Sequence, residues 1–166
     1  MPGAAKHKVG ETRYSKPNDT DLVYERLFDA PIQLVFDAYT KPEHLTRWLL
    51  GPEGWTMPVC EMDLRPGGGW RWGWARSDGR TMEMMGKILE IAPPTRLVMT
   101  ENWGPPWPES TNDITFTAVG DQTLVTCIIR AQDKDSREAA LSTGATGGMD
   151  TSFARLDSCL ASRAIA

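Results

Sequence analysis

Between Met57 and Arg130 the chain divides into six β-rich segments, each closed by a short turn signal. Met57–Leu64 ends at Pro66-Gly67-Gly68-Gly69, Trp70–Arg76 at Ser77-Asp78-Gly79, and Thr81–Ile91 at Pro93-Pro94. Arg96–Trp103 runs into Gly104-Pro105-Pro106-Trp107-Pro108, while Ile114–Val119 and Thr123–Arg130 flank Gly120-Asp121. Connections this short join neighbouring antiparallel strands, because a parallel crossover needs roughly a dozen residues or more. The spacing therefore predicts a sequential antiparallel sheet, with Leu22–Phe28 as a further strand.

Such a sheet needs cover on its apolar face. Ile32, Val35, Phe36 and Tyr39 recur at helical spacing behind Pro31, which is expected in the first helical turn. Thr40-Lys41-Pro42-Glu43 has capping-box spacing, with Thr40 as the cap of a second helix carrying Leu45, Trp48 and Leu49. Gly51-Pro52 stops it. At the other end a helical pattern begins at Ser136, and Met149, Phe153, Leu156 and Leu160 share one face. Gly144, Gly147 and Gly148 interrupt it, each costing about 1 kcal/mol relative to alanine inside a helix. Two helices could meet there. One kinked helix is the expectation, with Gly144 and Gly148 turned to the sheet or its cavity. The order β-α-α-β6-α predicts an α+β fold in which a curved antiparallel sheet wraps one long C-terminal helix. Residues 1–19 read as a flexible tail, with an added edge strand as the alternative, which leaves one domain over residues 20–166.

Charge and motif content narrow the function. Eighteen basic against 22 acidic residues give a net charge of −4, which argues against nucleic-acid and anionic-membrane partners, since both favour a basic face. No apolar run reaches the roughly 20 residues of a membrane span, and the polar start of the chain lacks a signal-peptide core. With the odd, widely spaced Cys60, Cys127 and Cys159, this predicts a cytoplasmic protein. His7 and His44 are the only imidazoles, so no metal site is expected. G-x-S-x-G, P-loop and H-E-x-x-H motifs are absent. Gly67-Gly68-Gly69 lies between strands without dinucleotide-binding spacing, and no cofactor is expected.

The most distinctive segment is Trp70-Arg71-Trp72-Gly73-Trp74. Alternate residues of a strand share a face, so the three indoles point one way. They form either the aromatic wall of a ligand cavity or a bulky filled core. Met84 and Met99 are adaptable apolar lining for the same space. Trp48 and Trp55 would stand at its mouth, and Gly148, Met149 and Phe153 would supply the helix side. Alternation also puts Glu101 with Leu97, Met99 and Trp103. If that face is interior, Glu101 is a buried acid and the one weak candidate for a general base. If not, it is a rim carboxylate.

Phe28-Asp29-Ala30-Pro31, Pro42-Glu43-His44-Leu45 with Trp48, and Gly51-Pro52 resemble the opening of the SRPBCC (START-like) superfamily. Asp63-Leu64-Arg65-Pro66-Gly67-Gly68 before Trp70, and the run from Gly86 to Leu97, resemble the activators of the 90-kDa heat-shock-protein ATPase. The stretch from Leu141 through Leu156 is similar to bacterial stand-alone members with a glycine-bearing last helix. The resemblance implies a helix-grip fold, a curved sheet gripping a C-terminal helix over a deep cavity. It also implies a choice of roles, because the superfamily includes binders, cyclases and hydrolases, and fold does not choose among them. The expected function is binding of a hydrophobic, aromatic or cyclic small molecule without catalysis. The alternatives are a cyclase, dehydratase or hydrolase using Glu101, or a chaperone-contacting stress-response module. A homodimer is one option for its assembly.

Overall fold

The computed structural model describes residues 7–162. Eight strands and four helices follow in the order β1 (Thr12–Ser15), β2 (Asp21–Phe28), α1 (Ile32–Thr40), α2 (Pro42–Trp48), β3 (Trp55–Met62), β4 (Gly69–Arg76), β5 (Thr81–Ala92), β6 (Arg96–Glu101), β7 (Ser110–Val119), β8 (Gln122–Arg130), α3 (Lys134–Ser142) and α4 (Ala145–Ala161). The strands form one sheet in the order β1-β2-β8-β7-β6-β5-β4-β3, and every pairing is antiparallel. Six consecutive strands lie side by side because each is joined to the next by a short turn. The long connection, through α1 and α2, carries the chain from β2 to β3 at the far edge, and the run of neighbouring strands then ends with β8 beside β2.

The inward face is set by register. Trp72 stands opposite Cys60 and Met84, Met99 opposite Ile88 and Asn112, and Cys127 opposite Ile114 and Tyr24. Helices α1 and α2 close part of this face with Phe36, Tyr39, Leu45 and Trp48. Trp48 Nε1 donates to Ala38 O at 2.9 Å, tying α2 to α1. Helix α4 is fastened by Phe153, whose ring lies 5.1 Å from Tyr24, 6.0 Å from Phe28 and 6.2 Å from Trp48. A partly buried ion pair joins the same helix to the sheet, with the buried Arg26 Nη2 2.5 Å from Asp157 Oδ2.

Four local expectations need correction. Residues 12–15 are not a free tail: Thr12–Ser15 pairs with Val23–Arg26 as edge strand β1, and Tyr14 reaches across to α4 by donating to Asp150 Oδ1 at 2.7 Å. The first six residues of the expected tail lie outside the described residues. The C-terminal helix is two helices, because Gly144 takes φ +80° between α3 and α4, a left-handed conformation that glycine enters at little cost and that cannot propagate a right-handed helix. Thr40 does not cap α2. It ends α1, its Oγ1 donating to Phe36 O at 2.9 Å, while Lys41 holds the N-cap position. Pro31 is likewise the N-cap of α1 rather than a residue of its first turn.

Candidate functional site

All three indoles of β4 are buried, at 2% (Trp70), 6% (Trp72) and 6% (Trp74) exposure. They pack along one another, with centroids 4.3 Å apart for Trp70–Trp72 and 6.2 Å for Trp72–Trp74. Their polar handles are treated differently. Trp70 Nε1 donates to Thr100 O at 2.9 Å and Trp74 Nε1 to Leu49 O at 2.7 Å. Trp72 Nε1 is fully buried and has no partner.

Gly86 makes the first of these bonds possible. It pairs with Trp70 across the ladder, and a Cβ built there would lie 1.9 Å from Thr100 O and 2.6 Å from Trp70 Nε1. Glycine lets the indole cross β5 and reach the β6 backbone.

Glu101 belongs to the inward set of β6, opposite Ser110. Ser110 Oγ donates to its Oε2 and Asn112 Nδ2 to its Oε1, both at a long 3.4 Å. Burial is the largest influence and pushes the carboxyl above its ordinary range, while hydrogen bonds from Trp103, Asn112 and Ser110 pull the other way. Asn112 is 8% exposed, and its Oδ1 is buried without a partner. On the helix-covered side, the Tyr24 and Tyr39 hydroxyls lie 3.2 Å apart beside the buried Cys127.

The remaining candidates are distributed as follows. Met84 and Met99 are buried in the same core cluster as Trp48 and Phe153. Trp55 and Met149 are partly buried against it. A Cβ on Gly148 would meet Pro52 Cδ, in the loop after α2, at 3.7 Å, and Gly144 is the N-cap of α4 rather than a residue within it. Trp103 and Trp107 are 41% and 38% exposed. Sequence reasoning missed Asn112, Ser110 and Gly86. Asn112 was legible by alternation with Ile114 and Phe116; the role of Gly86 was not, because its crossing partner lies on another strand.

Two hollows open at the surface. One of about 760 Å³ is bordered by Trp70, Gly86 and Thr100 together with Arg71, Met85 and Lys87, and one of about 300 Å³ lies between Tyr14, Leu22, Leu141 and Thr146; of the residues expected to line a cavity, Trp70 alone borders either of these two. Among the described residues, no group of three or more His, Cys, Asp or Glu is placed to hold a metal ion. No described helix is long and apolar enough to cross a membrane.

The family model described as Activator of Hsp90 ATPase homolog 1-like protein matches residues 29–161. The chain belongs to this family. Its structure is similar to that of a Rhodobacter sphaeroides protein (26% identity, 92% of this chain and 99% of that chain covered, TM-score 0.87). A Nitrosomonas europaea protein is similar at 26% identity over 89% of this chain and 98% of its own, with TM-score 0.78. The AHSA1-like protein from Aeromonas hydrophila shares the fold at 21% identity, 84% and 93% coverage, and TM-score 0.71. No curated protein matches the sequence. The α+β helix-grip architecture expected from the sequence is thus the architecture of the family.

Proposed function

We propose that this member of the Hsp90-ATPase-activator-like family binds a hydrophobic, aromatic or cyclic small molecule against the inward face of β4 to β7, and that it acts as a binder without turnover. The observation that carries the reading is the unpartnered Trp72 indole at the centre of an aromatic wall. A buried donor with no partner costs about 1–3 kcal/mol, and native interiors seldom keep one without a use for it. Flanking indoles and Met84 supply large apolar area, so a ligand gains burial and the N–H gains a partner. Native mass spectrometry of the purified chain tests this. A co-purified small molecule that is lost in Trp72→Ala supports it, and a ligand retained in that variant counts against the indole wall.

A second reading rests on Glu101. Its half-buried carboxyl, held above the ordinary range, suits a general base, and such help is worth about 10²–10⁴-fold in rate. A cyclase, dehydratase or hydrolase would lose turnover in Glu101→Gln while still binding ligand; a pure binder would keep most of its affinity. The family relationship also keeps a chaperone contact open, for which the exposed Trp103 and Trp107 are the apolar surface. Trp103→Ser with Trp107→Ser would then weaken chaperone capture and leave the melting temperature near that of the parent.

A further inference from the structure

Arg71 alternates with Trp70 and Trp72 on β4, and its ladder partner is Met85. The hollow of about 760 Å³ that Arg71, Met85 and Lys87 border therefore opens on the face of the sheet turned away from the helices. We infer that this hollow is a binding site of its own, for a small monoanion (a carboxylate or sulfonate) carried on a flat apolar body. It stands apart from the interior site proposed above and does not depend on it.

The hollow exists because a side chain is missing where β4 and β5 pair. Gly69 stands directly opposite Lys87, and a Cβ built on Gly69 would meet only Gly86 O, at 3.9 Å. Bare backbone is thus the floor beside the lysine, and a flat group can lie on it. On the other side of β5 the ladder is interrupted. Met85 pairs with Asn102 and Ile88 with Met99, but between them Lys87 N donates to Thr100 Oγ1 at 2.9 Å instead of to a carbonyl. Met85 and Leu89 flank Lys87 two residues to either side, and both border the hollow. They are 48% and 47% exposed, so an apolar body beside the charge covers methionine or leucine surface that otherwise faces water.

Charge selects the ligand. The other cationic side chains on β2 to β8, Arg26, Arg71, Arg76, Arg96 and Arg130, each have a carboxylate within 4.0 Å. Among the described residues Lys87 has none. Its neighbours on β6 and beyond add donors. Thr100 Oγ1 already accepts from Lys87 N, so its hydroxyl hydrogen is left to donate. Asn102 Oδ1 accepts from Gly104 N at 2.7 Å, which leaves its amide nitrogen to donate. An ammonium, a hydroxyl and an amide that all offer hydrogens suit an anion, and charge-assisted hydrogen bonds are the stronger kind. The border also limits that anion. Arg71 is spent on Glu83 at 2.6 Å, and Glu61 and Glu109 stand at the edge, so a second negative charge would meet carboxylates with no free cation to offset it.

The test titrates the full chain with 2-naphthoate, 2-naphthylmethanol, 2-naphthylmethylammonium and 2,6-naphthalenedicarboxylate. The readout is the ¹H–¹³C methyl resonance of Met85, assigned by its loss in Met85→Leu. 2-Naphthoate should bind tightest, about twofold to fivefold better than the alcohol at low salt, the range of an exposed ion pair. The difference should close at about 1 M salt. Lys87→Gln should erase the preference for naphthoate over the alcohol, whereas Lys16→Gln, on the opposite edge of the sheet, should leave it intact. Gly69→Val should abolish the Met85 shift by filling the floor, with a melting temperature at or above that of the parent, since a branched side chain suits a strand with room for it. Lys87→Gln decides the matter if Gly69→Val melts early. Equal affinity for the four probes, tightest binding of the ammonium, a naphthoate preference that survives Lys87→Gln, or no Met85 shift with any probe would overturn the inference. Naphthoate that moves the methyls of Met84 and Met99 but not that of Met85 would also overturn it, and would favour the interior site instead.

Discussion

Gly86→Ala is the sharpest structural perturbation this architecture offers. The added Cβ would sit 1.9 Å from Thr100 O and 2.6 Å from Trp70 Nε1. The first contact is with backbone, so rotamer changes cannot relieve it, and β5 and β6 must separate. The same carbonyl accepts the Trp70 indole hydrogen bond at 2.9 Å. Losing that bond leaves a buried N–H unpaired, at about 1–3 kcal/mol. Displacing an indole that is 2% exposed adds an overpacking cost, about 1–3 kcal/mol. The expected total is therefore about 2–6 kcal/mol. At about 2–4 °C per kcal/mol for a chain of this size, melting should fall by at least 4 °C. Urea denaturation of the parent, Gly86→Ala, Trp70→Phe and the double variant separates the contributions. In the Trp70→Phe background the alanine should cost less, because the bond is already gone. A Gly86→Ala stability within about 0.5 kcal/mol of the parent, the range of an ordinary surface substitution, would refute the crossing of β5 by Trp70.

Two further outcomes follow from buried charge. Asp157→Ala should destabilise by about 3 kcal/mol in chemical denaturation, because it strips the carboxylate from an Arg26 that is only 3% exposed; an unchanged midpoint would show that Arg26 does not depend on the pair. Glu101 has its folded carboxyl raised above 4.5, so the folded state holds this proton more tightly than the unfolded chain does. Its contribution is fully present below 4.5 and is lost as pH rises through the raised value. The stability difference between Glu101→Gln and the parent should therefore grow in favour of the variant between pH 4.5 and neutrality, measured by urea titration at each pH; a difference independent of pH would show the carboxyl to be solvated.

What the sequence determined is local. Turn residues at hairpin spacing dictated the run β3 to β8, because a short connection leaves antiparallel neighbours as the only pairing. Alternation put Trp70, Trp72 and Trp74 on one face, and the helical stripe of Phe153, Leu156 and Leu160 marked the side of α4 that is buried. The tertiary structure decided whatever depends on a partner distant in the chain. Thr12–Ser15 is a strand only because β2 offers it an edge, and α3 and α4 are separate because Gly144 adopts a left-handed turn that glycine's propensity permits but does not require. Three indoles identical in sequence pattern differ in chemistry for the same reason. Trp70 finds Thr100 O on β6 and Trp74 finds Leu49 O after α2, while Trp72 finds nothing. Periodicity tells a side chain which way to point, but only the assembled sheet determines whether an acceptor waits there.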